Sequence, residues 1–147
     1  MGSKAFAVHS IGGTSPSSAT TSAGTKIAGS LEACESLTIV ATLTGATGGT
    51  LDVYLQTSFD QGTTWYDFAH FAQVAGAAAA VTKHWHVGRQ VQSATGATTI
   101  GSGTSPALAA NTILGGGWGD MMRVVYTAGA GTSAGAAQSI LVIGHRP

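Results

Sequence analysis

The chain has 147 residues, enough for one domain with a sizeable buried core. Hydrophobic residues make up 44% of it, but charged residues only 8%, against a typical ~25% in soluble domains, and the formal net charge is zero. That balance excludes a disordered chain and a protein that works by neutralising phosphates, and no apolar run approaches the ~20 residues of a membrane span.

In chain order, residues 4–11 (KAFAVHSI) alternate roughly and read as a short strand. The opening MGSKAFAVHSIGG lacks the apolar core of a secretory leader. Residues 12–25 (GGTSPSSATTSAGT) are turn and linker residues without periodicity. Residues 1–25 are therefore expected to be an extended or flexible arm, and 26–147 the folded domain. Phe6, Val8 and Ile11 are the apolar positions with which the arm would grip a neighbour. Cys34 is the single cysteine, so no disulfide forms within the chain, and it reads as a buried structural thiol.

The body reads as strands. Residues 36–44 place Leu37, Ile39, Ala41 and Leu43 on one face and Thr38, Val40 and Thr42 on the other. GATGG then turns the chain. Residues 51–57 alternate again, with Leu51, Val53 and Leu55 inward and Asp52, Tyr54 and Gln56 outward. Residues 65–71 carry aromatics on both faces. Residues 75–80, mostly alanine, are too short for a convincing helix. Residues 81–87 put Val81, Lys83, Trp85 and Val87 on one side. Residues 93–110 are a second connection rich in Gly, Ser, Thr and Ala, and 111–114 make a short strand. Residues 121–127 (MMRVVYT) and 138–144 (QSILVIG) are strong strand signals. About eight short antiparallel strands without a clear helix predict an all-β chain, a β-sandwich or jelly roll with an extended N-terminal arm.

The most pointed stretch is SFDQGTTW, residues 58–65. It joins two amphipathic strands and should be a hairpin turn. Asp60 can accept backbone N–H groups two or three residues on, and Gly62 can take a positive φ. The Ser58 and Thr64 hydroxyls can satisfy further backbone groups, and Trp65 can lay its ring under the turn. The pattern resembles the Asp box of sialidase-type propellers, where it recurs once per blade and sits away from the chemistry. One copy cannot build a propeller, and the three arginines, Arg89, Arg123 and Arg146, share no motif.

The longer stretch YLQTSFDQGTTWYD, residues 54–67, resembles a hairpin of small β-sandwich virion proteins of tailed bacteriophages. The resemblance covers about a tenth of the chain, and the hydrophobic closing strands agree with it. It implies a structural role on the particle, as a capsid decoration or cement protein. The expected partners are the major capsid protein or other virion proteins, and further copies of the chain. A neck, collar or tail component is the alternative within that class.

Other constellations point elsewhere. His84-x-His86 has a spacing that metals use, with His70 as the candidate third ligand; two surface histidines beside Trp85 is the plainer reading. Of the carboxylates, Asp52 and Asp67 fall on strands that can pair, the arrangement a glycosidase needs, although a polar outer face accounts for them equally. Trp65, Trp85, Trp118, Tyr54 and Tyr66 are the aromatics that would stack on sugar in a carbohydrate-binding module, the competing reading from another class. Against it, small sandwiches need large apolar residues in the core or at subunit contacts, so Trp85, Trp118 and Tyr54 join the candidate interface. No nucleophile elbow, phosphate loop or Cys/His cluster is present. The sequence thus predicts a non-enzymatic protein without a cofactor, bound to neither nucleic acid nor membrane and located on the capsid surface.

Overall fold

The computed structural model describes residues 3–11, 21–28, 31–43, 49–75, 81–89, 106–114, 117–129 and 138–146. They form strands β1 (Ser3–Ile11), β2 (Thr21–Ala28), β3 (Ser36–Leu43), β4 (Thr50–Ser58), β5 (Tyr66–His70), β6 (Val74–Ala75), β7 (Val81–Gly88), β8 (Thr112–Ile113), β9 (Met121–Ala128) and β10 (Gln138–His145). A 3₁₀ turn, Leu31–Ala33, precedes β3. Every pairing is antiparallel. One sheet has the order β1-β10-β3-β7; the other runs β2-β9-β4-β5-β8, with β6 added to β4. The chain is an all-β sandwich. β6 and β8 are two-residue bridges, and the other strands are five to nine residues long.

The alternation in the sequence explains the two layers. Leu37, Ile39, Ala41 and Leu43 on β3 face Leu51, Val53 and Leu55 on β4 across the core. Ile140 and Val142 join from β10, Met122 and Val124 from β9, and Phe68, Ala69 and Phe71 from β5 and just beyond it. At the β4–β5 pairing Ala69 opposes Leu55 and Asp67 opposes Gln56, so Phe68 is an extra residue in a bulge. The bulge lets Phe68 and Ala69 both reach the core while Asp67 and His70 lie on the outer face.

Residues expected as an outward-reaching arm are drawn into the sandwich. Ser3–Ile11 pairs with β10, and Thr21–Ala28 pairs with β9. Each supplies the edge strand of one sheet, because β10 and β9 would otherwise end in open rows of N–H and C=O groups. Phe6 sits at the register position of Val142, a core residue, Ile11 opposite Gln138, and Val8 at the bulge between Ala7 and His9. Residues 12–20 lie outside the described residues, as do 76–80 and 93–105.

One end of the sandwich is closed by an aromatic clasp that sequence reasoning missed. The Trp118 indole N–H donates to the Leu31 carbonyl (2.8 Å), and the ring meets Phe68 edge-on. The Arg89 guanidinium lies 4.4 Å above the Trp118 ring and donates to the carbonyls of Cys34 (2.8 Å), Trp118 (3.2 Å) and Leu31 (3.4 Å). Cys34 is buried beside it. Trp118, 1% exposed, is thus a core residue and not a subunit contact, since a ring this large fills space no other side chain reaches. Trp118→Ala removes the ring, its hydrogen bond and the Arg89 stack together. It is expected to cost about 3–5 kcal/mol in urea denaturation, at the upper end for a core truncation.

Candidate functional site

The Asp60 turn is held by its own side chains. The Ser58 hydroxyl donates to Asp60 Oδ1 (2.8 Å) and accepts from the amides of Gly62 (2.8 Å) and Asp60 (3.3 Å). Asp60 Oδ1 accepts the Thr64 amide (2.7 Å), four residues on rather than the two or three expected. Gln61 and Gly62 both take positive φ, 55° and 85°. The Trp65 indole donates to the Gly62 carbonyl (2.9 Å), so the ring lies under the turn. The Asp120 carboxylate ties the turn to the start of β9 by accepting the Gln61 amide (3.1 Å). Gly119 lies so close behind Ser58 that a Cβ there would overlap the Ser58 carbonyl. The Thr64 amide, then the Thr64 and Ser58 hydroxyls, hold the Asp60 carboxyl below its ordinary value.

Behind the turn, the outer face of the second sheet carries a buried hydrogen-bonded chain. The Arg123 guanidinium lies 4.6 Å above the Trp65 ring and donates to Gln56 Oε1 (2.9 Å). Gln56 Nε2 donates to Asp67 Oδ1 (2.8 Å). Asp67 Oδ2 accepts the amides of Ala107 (2.7 Å) and Leu108 (3.0 Å). The Leu108 carbonyl is 2.7 Å from His70 Nδ1, and His70 Nε2 is 3.2 Å from Asp52 Oδ1. Gln73 closes the chain on Asp52 Oδ2 (2.8 Å). Tyr54 stacks on His70 at 3.9 Å. Burial, then the negative Asp52 and Asp67, pushes the Tyr54 phenol up, and burial pulls the Arg123 guanidinium down. Segment 106–110, expected as a plain connection, is the lid over this layer, with its own Leu108 side chain buried.

These partners reassign several candidates. Asp52 and Asp67 share a sheet but serve different bonds and do not face each other across a cleft. His70 is committed to this layer, while His84 and His86 stand exposed on the other sheet, so the three do not converge. No group of three metal-ligating side chains occurs among the described residues. His86 instead has a neighbour that spacing could not reveal: Thr38 Oγ1 lies 3.0 Å from His86 Nδ1 and 2.9 Å from His145 Nε2. Register is the missing signal, for Thr38 pairs with both His86 and Ile143, which brings the end of β10 alongside.

The aromatics do not form a sugar platform. Trp65, Trp118 and Tyr54 are buried, and Trp85 is half-buried against Phe71 at 4.8 Å. Phe59 is 60% exposed and meets Tyr66 at 6.3 Å, but their planes are 51° apart. Beside them lies an open cleft of about 380 Å³ lined by Thr57, Phe59, Tyr66, Asp67, Leu114 and Gly117. Asp67 is the only carboxylate lining it, and both of its oxygens are occupied. Among the described residues no helix is long and apolar enough to cross a membrane. No protein-family model, curated protein or solved structure matches the chain.

Asp67→Ala strands the Gln56 amide and two backbone N–H groups in a buried layer. It is expected to destabilise the fold by about 3–5 kcal/mol and to speed hydrogen exchange at Ala107 and Leu108. For Asp60 the depressed carboxyl makes its contribution present above the unfolded aspartate value, ~4, and lost as pH falls through the lower folded value. Asp60→Ala should therefore melt below the parent chain at pH 7, and the gap should narrow steadily in melts taken below pH 4.

Proposed function

We propose that the chain is a non-enzymatic structural protein of a tailed-phage particle, decorating or cementing the capsid in many copies. The observation that carries this reading is a division of roles within the sandwich. The side chains suited to chemistry, Asp52, Asp60, Asp67, His70 and Arg123, are engaged in bonds that hold the fold. The outer face of the four-stranded sheet offers shape and apolar area instead. Low charge favours contacts that persist in salt, and lattice symmetry multiplies weak ones. The hairpin of residues 54–67, with its resemblance to virion sandwich proteins, directs the proposal to phage particles.

On this reading the grip comes from the sheet face and the turn-bearing end, since Ser3–Ile11 and Thr21–Ala28 are paired within the chain. The major capsid protein is the expected partner, and the capsid surface the expected location. The test is quantitative mass spectrometry of particles purified from the source of this sequence, with immunogold labelling. The chain should be present at a copy number comparable to the capsid subunits and label the head. Its absence from intact particles would overturn the proposal.

A further inference from the structure

Phe59 is the only large hydrophobic side chain exposed among the described residues, at 60%. The turn that carries it is nonetheless fixed, by the bonds of Ser58 and Asp60 to the amides of Gly62 and Thr64. Tyr66 opens β5 opposite Thr57, so the two aromatic rings flank the base of the turn. Their centroids are 6.3 Å apart and their planes meet at 51°. The rings are two walls of the open cleft of about 380 Å³, which Thr57, Asp67, Leu114 and Gly117 complete.

We propose that this cleft binds a quaternary ammonium group, a choline-type head lodged in the angle between the Phe59 and Tyr66 rings with the Asp67 carboxylate beside it. The first argument is what the lining withholds. Thr57 Oγ1 accepts the Gly119 amide and donates to the Met121 carbonyl. Both Asp67 oxygens accept bonds from Gln56, Ala107 and Leu108. The Tyr66 phenol is the remaining polar side-chain group of the lining. A sugar, a primary ammonium or a metal ion must exchange its water for several such atoms and finds too few. A quaternary ammonium has no N–H to satisfy. It needs what the cleft offers, which is aromatic faces, apolar contact and nearby negative charge.

The second argument is the charge around it. Every charged side chain of the molecule belongs to a described segment, so the balance is complete. All four aspartates belong to one sheet and its turn: Asp52 on β4, Asp60 in the turn, Asp67 on β5 and Asp120 just before β9. Asp52 is taken up by His70 and Gln73. Arg123 is stacked on Trp65 and bonded to Gln56, and Arg89 is engaged by the Trp118 ring and three carbonyls. Lys26 holds the register position beside Arg123 on β2, three strands from β5, or roughly 14 Å at ~4.8 Å a strand. That is beyond the reach of a screened surface charge. A cation at the cleft thus meets Asp67 behind the rings and Asp60 and Asp120 at the turn. A neutral apolar group would use the same walls and gain nothing from these carboxylates. The volume lies in the range of small-molecule sites, and the hydrogen-bonded turn holds Phe59 in place before any ligand arrives.

The inference goes beyond the virion assignment and does not rest on it. The test is titration of the isotope-labelled full-length chain with choline chloride at pH 7 and constant ionic strength, followed by amide chemical shifts. The amides of Phe59, Tyr66, Leu114 and Gly117 should move together and saturate with a dissociation constant of about 1 mM. Ethanolamine, which carries a primary ammonium, and 3,3-dimethylbutan-1-ol, the uncharged carbon isostere of choline, should each bind about tenfold more weakly. Free choline and its phosphate ester are two sources of the same head. The carboxylates at the turn repel a phosphate, so phosphocholine should bind more weakly than choline. Phe59→Leu keeps an exposed apolar side chain without the aromatic face; it should melt like the parent and bind choline about tenfold more weakly. No saturable shift at these amides up to 50 mM choline would overturn the proposal. Ethanolamine, the isostere or phosphocholine binding as tightly as choline would overturn it too, as would a folded Phe59→Leu chain that binds choline like the parent.

Discussion

The Asp67 carboxylate organises the outer layer of the six-stranded sheet. It is 1% exposed, and such a group tolerates removal from water only when its oxygens are supplied with donors. Gln56 supplies one, and the amides of Ala107 and Leu108 supply two more. The requirement works in both directions. It fixes the Gln56 amide so that its oxygen faces Arg123, and it holds segment 106–110 against β5. The Leu108 carbonyl thereby reaches His70, and His70 reaches Asp52. Removing any middle member would leave a buried polar group without its mate, so the layer forms as a unit.

The consequence for function is an asymmetry. One sheet is buried on both sides, by the core within and by polar side chains and a lid without. The other is buried on its inner side, and the outer positions of β3, β7 and β10 carry small, apolar and imidazole side chains. The Asp60 turn belongs with the first. Its carboxylate, hydroxyls and indole are occupied in shaping a bend, and Trp65 continues from that bend to cover Arg123. A reading based on contact surfaces accounts for more of this chain than one based on a reaction.

Much of the fold was legible from alternation. Leu37 to Leu43 and Leu51 to Leu55 lie inward as their period-2 spacing requires, and the turn residues from Ser58 to Trp65 act locally, as short-range chemistry does. What escaped was everything set by a second layer. Tyr54 and Gln56 point away from the core, as expected, yet they are buried, because the outer layer and its short segment of proline, leucine and alanines, residues 106–110, pack over that face of the sheet. Composition could not announce that, since the lid binds through its backbone amides. Trp118 and Arg89 were missed as a pair for a related reason: a stack between loop residues 29 positions apart has no period. The histidine pair bridged by Thr38 joins β7 to β10, strands distant in sequence and brought together only by their shared neighbour, β3.

The strand order also governs how the molecule can be made. β10 lies between β1 and β3, and β9 lies between β2 and β4, so each sheet has a late-synthesised strand at its interior. As the chain leaves the ribosome, the first two strands emerge with nothing to pair to, and β10 must appear before β1 has a ladder. Until then the growing chain carries apolar β segments with open edges, a state prone to joining a neighbouring nascent chain. Such long-range closure also predicts slow refolding for a domain of this size.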